Sequence, residues 1–580
     1  MNWKLVKTQK KWLSNEKGTV IKDWGGKLTI ALAYPNRYAV GMANLGFQTV
    51  YRCFNELPHV VCERVFFPEP EDVDVLARDP SASLISVESQ RPVRDFDVLA
   101  FALSFENDFP NILSMLDYSG IGFFPPDRSG HDPLLMAGGV VTFLNPEPIA
   151  PFFDFFLLGE VENIIPTFST VLKECLKRCK DRRDILEELV SRVPSLYVPE
   201  FYDVKYTEEG YVFGYVPKGD YPEKIRCYHS SSLEPPTTTC ILTPFSEFSN
   251  TGLVEIGRGC GRGCRFCAAG FVYRPPRLVS AEKIIEATEN TRELTNRVGL
   301  LSSAVSDHPE IEGICNVLKQ KGFQVSVSSI RADSATRGLL RNLSESGHFS
   351  VAVAPDAGSE RLRKVINKNL SEAQILDAVE NLSRQNILNI KLYFMVGLPT
   401  ETRSDVEEIV KLVRKIKHRV ISSSKGKKKL ATLTLSVNCF VPKPFTPFQW
   451  SQFLKVEELK ERIKIIKRGL KGLSNVRVHT DLPKWAYRQA VLSRGDRKVA
   501  LLLRAIHQND GNWQKALSDV NLNADFYACR SRKKDELFPW DFIDHGIRKE
   551  YLWEEYQRAL AEKVSPQCDV GRCHRCGVCE

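Results

Sequence analysis

Short apolar runs alternate with amphipathic stretches over two long parts of the chain, and this alternation predicts two parallel βα units in series. Between residues 27 and 180 the runs Leu28-Thr29-Ile30-Ala31-Leu32, Val98–Leu103, Leu134–Ala137 and Phe153–Leu158 read as strands separated by helical segments. This pattern predicts a doubly wound parallel sheet over residues 1–190. Residues 191–249 are richer in Pro, Tyr and Ser and contain the β-type run Tyr211–Val216, so they read as a β-rich connector. From Thr251 the alternation resumes for about six cycles, with strands expected at Leu253–Ile256, Val298–Ser302, Gln324–Ser329, Ser350–Ala354, Ile390–Val396 and Leu433–Cys439. Ser280 and the capping-box pattern Ser371-Glu372-Ala373-Gln374 mark helix starts. Residues 250–452 are therefore expected to curl into a partial (β/α)6 barrel, with chemistry at the carboxyl ends of its strands. A mainly helical extension follows over residues 453–563, and residues 564–580 form a tail carrying four cysteines.

Composition narrows the class. The chain has 580 residues and 16 cysteines, and at least seven of these fall in metal-type clusters rather than in a disulfide-like distribution, which argues for a reducing cytoplasm. Met1–Lys17 lacks an apolar core, and runs such as Phe155–Leu158 are far too short to span a bilayer, so neither secretion nor membrane insertion is expected. A net charge of +9 implies little by itself. Basic residues concentrate in Lys411–Lys429, with its run Lys425-Gly426-Lys427-Lys428-Lys429, and again in Lys455–Lys471. Such segments can track an RNA backbone, but without accompanying aromatic residues for stacking a solvated helix face and a surface loop are the favoured reading.

The densest chemistry is Gly259-Cys260-Gly261-Arg262-Gly263-Cys264-Arg265-Phe266-Cys267, whose spacing is that of a ligand loop for an iron–sulfur cluster. Three thiolates leave one iron of a four-iron cluster unclaimed, to be met by a distant ligand or kept open for substrate. A zinc site or buried free thiols are the competing readings; zinc sites usually pair two ligand dyads, and buried thiols rarely cluster between three glycines. The tail adds Cys568, Cys573, Cys576 and Cys579 as C-x4-C-x2-C-x2-C. Four thiolates complete a closed site, which suits either structural zinc or an auxiliary iron–sulfur cluster.

The spacing C-x3-C-x2-C, with Phe266 immediately before the last cysteine, resembles the signature of radical S-adenosylmethionine (SAM) enzymes. That resemblance implies a [4Fe-4S] cluster on Cys260, Cys264 and Cys267 as the catalytic centre, SAM chelated by the open iron, and one-electron reduction that yields a 5'-deoxyadenosyl radical. It also implies a flavodoxin- or ferredoxin-type electron donor. Around the same rim it points to Arg331 as a bidentate partner for the SAM carboxylate, to Asp356 and Ser359 at the ribose, and to Val396 and Gly397 at the adenine, with turn or capping roles as the alternative for each. No Gly-Gly-Glu follows the second strand; Ser302–Asp307 occupies that place.

Gly138-Gly139 and Gly159-Glu160-Val161-Glu162, at two strand ends of the first unit, resemble the N-terminal cobalamin-binding-like domain of one branch of these enzymes. The Asp-x-His-x-x-Gly motif of a cobalt-ligating histidine is absent, and Pro35–Tyr51 holds no histidine. Cobalamin binding and a vestigial domain acting as lid or docking surface both stay open. Asn145-Pro146-Glu147-Pro148, Arg274-Pro275-Pro276-Arg277 and Ser493-Arg494-Gly495-Asp496 extend the resemblance to an uncharacterised radical SAM family over most of the chain. For the radical chemistry two alternatives stay open, RNA or tRNA modification and cobalamin-assisted methylation of a small molecule. The competing class is an iron–sulfur electron-transfer or nucleic-acid-binding protein without SAM cleavage.

Overall fold

In the computed structural model, residues 3–579 are described, apart from 80, 180, 328, 348 and 425–429. The lysine-rich run at 425–429 therefore lies outside the described residues. Six strands make the first sheet: β1 (Leu28–Tyr34), β2 (Val60–Phe66), β3 (Val98–Ala102), β4 (Leu134–Gly138), β5 (Phe155–Leu157) and β6 (Leu196–Tyr197). Their order is β2-β1-β3-β4-β5-β6, parallel throughout except for β6, which runs antiparallel to β5. The four expected strands are all present. β2 is an additional one, in register with β1 from Leu28 opposite Val60 to Tyr34 opposite Phe66. Its sequence hides it, because Glu63 and Arg64 interrupt an otherwise apolar run. Both are buried with partners from elsewhere: Arg64 donates to Glu16 and Glu88 at 2.6 Å each, and Glu63 accepts from Trp24, Ser86 and Ser89. Charges so paired can sit inside a sheet.

The connector supplies an antiparallel hairpin, β7 (Tyr202–Tyr206) and β8 (Val212–Pro217), then the short strand β9 (Ile225–Arg226). The second unit opens with β10 (Gly252–Glu255). A small antiparallel pair, β11 (Gly257–Arg258) and β12 (Arg277–Leu278), brackets the cysteine loop. The remaining strands are β13 (Arg297–Leu301), β14 (Gln324–Val327), β15 (Ser350–Asp356), β16 (Asn389–Val396), β17 (Thr432–Cys439) and β18 (Val476–Thr480). They form parallel sheets in the orders β10-β13-β14 and β15-β16-β17-β18, and the Ile330 N–H bonds the Ala352 carbonyl at 3.0 Å between them. All six expected strands are present, and β18 is a seventh, drawn from the segment read as a helical extension. Val476-Arg477-Val478-His479-Thr480 alternates at the sheet edge with Arg477 and His479 at its exposed positions and none of its residues fully buried, unlike the alternating β17 beside it.

The extension is otherwise helical, from Val456–Leu470 to Lys549–Leu560, and its strand β19 (Ile543–Asp544) returns to pair in parallel with β9. Helix starts follow sequence unevenly. Ser371 and Gln374 close a reciprocal capping box. Ser280 stands before the helix Ala281–Asn290, but its hydroxyl donates to Glu234 (3.0 Å) and leaves the helix uncapped by a side chain.

Candidate active site at the cysteine loop

The cysteine loop leaves β11 through Gly259, whose φ is +83° and where a Cβ would stand 2.5 Å from the Tyr273 carbonyl oxygen. Only glycine fits that turn. Beyond it, Arg265 turns inward and is wholly buried. Its guanidinium donates to the carbonyls of Lys364 (3.1 Å), Val365 (2.9 Å) and Lys563 (2.7 Å), to the Ser565 hydroxyl (3.0 Å) and to Glu555 (3.1 Å). Asn367 donates to the Gly263 carbonyl (3.2 Å) and accepts from the Ser565 N–H (2.8 Å). The loop is therefore fastened to the barrel on one side and to the end of the chain on the other.

Cys260, Cys264 and Cys267 are free and partly exposed. Burial pushes the Cys267 thiol up to about 11, and the neighbouring Cys264 and Cys260 add to the push; burial raises Cys260 as well, again with Cys264 adding. Thiols that hinder one another's ionisation in this way share one space, and a metal cation reverses the penalty. Two cations face them. Arg331, just beyond β14, acts on Cys260 and Cys264, and Lys368 acts on Cys267 and Cys264. The donor set and its positive surroundings fit an anionic thiolate-bound cluster with a carboxylate-bearing cosubstrate.

Each cosubstrate candidate from the sequence has a definite position. Arg331 holds Asp333 through two hydrogen bonds of 3.0 Å. Asp356 ends β15 with φ +63° and pairs with Lys368 at 2.6 Å. Ser359 caps the helix Glu360–Val365 by accepting from the Leu362 N–H (3.1 Å), and its hydroxyl donates to Asp405 (2.5 Å), so it is already engaged locally. Val396 is buried at the end of β16. Gly397 follows with φ +87°, its N–H given to Glu401 (2.9 Å). Phe266 packs on an apolar cluster containing Ala357, Leu362 and Leu398, which ties the loop to the ends of β15 and β16. Sequence reading passed over Arg262, Asp307, Asn367 and Lys368. Arg262 pairs with Asp307 (2.7 Å) and Asp333 (3.2 Å), partners too distant in sequence for any motif to announce.

A cavity of about 570 Å³ lies between the carboxyl edge of the first sheet and the barrel. Ser104, Gly138 and Phe143 line one side, and Glu255, Arg258 and Ser302 line the other; none of its lining residues is a histidine. Its wall reaches Arg258, immediately before Gly259-Cys260, so it adjoins the cysteine loop. Gly138 leaves the floor open, with nothing nearer a notional Cβ than the Leu157 carbonyl at 3.5 Å. Gly139 and Gly159 serve backbone packing: a Cβ would meet the Leu103 oxygen at 2.3 Å and the Tyr228 oxygen at 2.2 Å. The acidic residues after Gly159 form a clamp. Glu160 pairs with Arg277 (2.5 Å) and Arg258 (3.5 Å), and Glu162 with Arg258 (2.9 Å), fixing the first sheet to the base of the cysteine loop.

The tail docks on the same loop. The Cys568 N–H bonds the Gly261 carbonyl at 2.7 Å, and the Arg548 N–H bonds the Cys576 carbonyl at 2.9 Å. Elsewhere, some cations of the basic helices are paired: Lys411 meets Glu408 and Lys464 meets Glu461, each on its own helix, and Lys415 meets Glu372 and Arg419 meets Glu380 on the neighbouring one. Among the described residues, no helix is long and apolar enough to cross a membrane.

Comparison with known proteins matches residues 254–413 to the radical SAM superfamily and residues 46–199 to the family described as radical SAM proteins, N-terminal. An uncharacterised protein of Methanocaldococcus jannaschii is 30% identical over 478 residues, covering 82% of this chain and 90% of the relative. A tRNA-2-methylthio-N(6)-dimethylallyladenosine synthase of Anaplasma phagocytophilum is 25% identical over 225 residues, 36% of this chain and 48% of that protein. Among solved structures, the cobalamin-dependent radical enzyme OxsB with aqua-cobalamin bound aligns with a TM-score of 0.47 at 14% identity, covering 84% of this chain and 67% of that one.

Proposed function

Because the chain belongs to the radical SAM superfamily of enzymes, we propose that Cys260, Cys264 and Cys267 hold a [4Fe-4S] cluster at which SAM is bound and reductively cleaved. The observation that carries this reading is the convergence of three free, partly exposed thiols with Arg331 and Lys368 at the carboxyl rim of the barrel. The cluster, when bound, supplies the electron that splits SAM into methionine and a 5'-deoxyadenosyl radical. The protein's residues orient and shield that chemistry. Arg331 offers a planar donor to the SAM carboxylate once Asp333 shares it. Asp356 is better placed than Ser359 to receive the ribose hydroxyls, since the Ser359 hydroxyl already caps a helix. Val396 and Gly397 would border the adenine as an apolar wall, the Gly397 N–H being held by Glu401.

The substrate enters, in this reading, through the cavity next to Arg258. Its place at the carboxyl edge of a parallel sheet, with Gly138 unobstructed, supports cobalamin-assisted methylation. Cobalamin held there would receive no imidazole from the lining residues. RNA or tRNA modification has less support, because several cations of the basic helices are already paired with carboxylates. Cys568, Cys573, Cys576 and Cys579 hold a second centre, an auxiliary iron–sulfur cluster or zinc, next to the first; the Cys568–Gly261 contact supports that proximity. A flavodoxin- or ferredoxin-type protein in the cytoplasm is the expected electron donor.

The test is anaerobic reconstitution followed by SAM and dithionite, with 5'-deoxyadenosine measured by mass spectrometry. The wild-type chain is expected to release the nucleoside and Cys264→Ala to release none, whereas replacing all four tail cysteines by serine leaves the loop's cluster spectrum in place. Wild-type yield no greater than that of Cys264→Ala would overturn the reading in favour of an electron-transfer or nucleic-acid-binding protein. Hydroxocobalamin added to the same protein is expected to shift its absorbance on binding; an unchanged spectrum would remove cobalamin from the cavity.

A further inference from the structure

Cys227, His229 and His545 each bring one ligand atom to within 4.8 Å of the others. None belongs to either cysteine cluster. The strand pair β9–β19 creates the meeting: Ile225 lies opposite Ile543 and Arg226 opposite Asp544, and the Cys227 N–H then bonds the Asp544 carbonyl at 2.8 Å. His545 is the next residue on one strand. On the other, Cys227 and His229 are two apart in extended chain and share a face. Tyr228, between them, bridges to Gly159, and a Cβ on Gly159 would lie 3.0 Å from the Cys227 sulfur. The cluster therefore stands directly behind the rim of the first sheet.

The chemistry of the three groups fits a metal better than it fits packing. His545 Nε2 lies 2.8 Å from the Phe143 carbonyl. A carbonyl only accepts, so Nε2 carries the proton and a neutral ring presents the Nδ1 lone pair. That Nδ1 is buried and has no hydrogen-bond partner among the described residues, and neither has either ring nitrogen of His229. Leaving such an atom unsatisfied costs about 1–3 kcal/mol. A histidine whose second nitrogen is held by a backbone carbonyl is the usual outer-shell arrangement of a metal ligand.

We propose that Cys227, His229 and His545 form a further metal site that takes a divalent transition cation, zinc by ligand preference. One thiolate and two imidazole nitrogens are a zinc donor set, and three protein ligands leave a position for water. On binding, the Cys227 thiol gives its proton to solvent and its sulfur bonds the cation; no electron is transferred. The site joins the connector, through Cys227 and His229, to the extension, through His545, and rests on Phe143, which lines the cavity. The ion would brace that wall from behind.

Cobalt(II) is the probe, added to the metal-stripped full-length chain in which Cys264 and the four tail cysteines are serine, so that neither cysteine cluster competes. The expected result is one bound equivalent with a sulfur-to-cobalt charge-transfer band, displaced by zinc. Cys227→Ser should abolish the band, and His545→Ala should weaken binding by roughly tenfold or more. Circular dichroism reports whether each variant folds. Should Cys227→Ser fail to fold, His229→Gln gives a second reading: zinc is expected to raise the melting temperature of the parent chain and to leave that of His229→Gln unmoved. A cobalt band that survives Cys227→Ser in folded protein, or a zinc-induced shift that survives His229→Gln, would overturn the assignment, as would the absence of any cobalt binding.

Discussion

The two cysteine-rich regions of this chain lie against each other but are organised by opposite means. The loop at Cys260–Cys267 is shaped before any metal arrives: glycines at positive φ turn it, and Arg265 reaches from it into the interior to bind three carbonyls, a hydroxyl and a carboxylate. The tail from residue 564 to 579 contains neither helix nor strand. It is positioned by borrowed contacts, such as Cys568 on the Gly261 carbonyl and Arg548 on the Cys576 carbonyl. A ligand loop that the protein pre-forms can leave one coordination position to a cosubstrate without losing shape, whereas four ligands on irregular chain depend on the ion itself for order. The first arrangement suits reaction and the second suits closure.

The sharpest way to break this contrast is to remove the anchor that the two regions share. Burial pulls the Arg265 pKa down and Glu555 only partly offsets it, so the guanidinium is held in place by its contacts at a cost. Arg265→Met leaves Glu555 buried with Arg575 still 3.6 Å away, and should cost about 3 kcal/mol, the low end for breaking a buried pair. Denaturant unfolding measures the loss, and iron content after reconstitution should fall with it. The double variant Arg265→Met/Glu555→Gln should regain part of the stability, as expected for partners in contact. If Arg265→Met keeps full stability and full iron, the loop is not pre-formed by its anchor.

How much of this was readable in the sequence depends on whether the cause was local. The cysteine spacing was, and so were ten strands, marked either by apolar runs such as Phe153–Leu158 or by a buried alternation such as Leu433–Cys439. β2 was not, because Glu63 and Arg64 look exposed until Ser86, Glu88 and Glu16 arrive from other parts of the chain. β18 was not, because this short edge strand buries none of its residues fully and carries Arg477 and His479 on its exposed face. Arg331 and Asp356 were legible as polar residues at strand ends, whereas Lys368, which pairs with Asp356 and faces the thiols, sits after a helix where no motif marks it. Ser359 shows the reverse failure. Its type fits a sugar contact, but the Asp405 that engages it lies 46 residues away. The Cys227–His229–His545 group is the extreme case, since a pairing of two-residue strands across most of the second unit creates it.

The contrast also predicts reactivity in metal-stripped protein. The Cys573 thiol is held below its usual range by the Arg575 N–H, against an opposing effect of burial and with help from the Arg575 guanidinium, while Cys267 is pushed up to about 11 by burial. A lowered thiol pKa means that thiolate is present at lower pH, so Cys573 should ionise first as pH rises and Cys267 should stay protonated until near 11. At pH 8, iodoacetamide should label Cys573 roughly 100-fold faster, because the thiolate is the nucleophile. Peptide mapping by mass spectrometry reads both rates. Equal labelling would mean that the loop is as open as the tail.

The smallest expected effect tests the seam itself. Asn367 spans it with one side chain, donating to Gly263 in the loop and accepting from the Ser565 N–H where the tail begins. Its φ of +54° makes alanine a poor probe, since a strained backbone would add its own penalty, whereas glycine adopts that conformation freely. Asn367→Gly therefore removes these contacts, together with a longer one to the Arg262 carbonyl, with little added strain and should cost about 1–3 kcal/mol. The loop keeps Arg265, so its cluster should assemble at wild-type yield. The tail loses its first fixed amide, so hydrogen exchange at Ser565 should accelerate while exchange in β10 and β13 stays unchanged. Acceleration in the loop and the tail together would show that the two regions open as one unit, and the difference in how they are organised would then lie in the bound metals rather than in the chain.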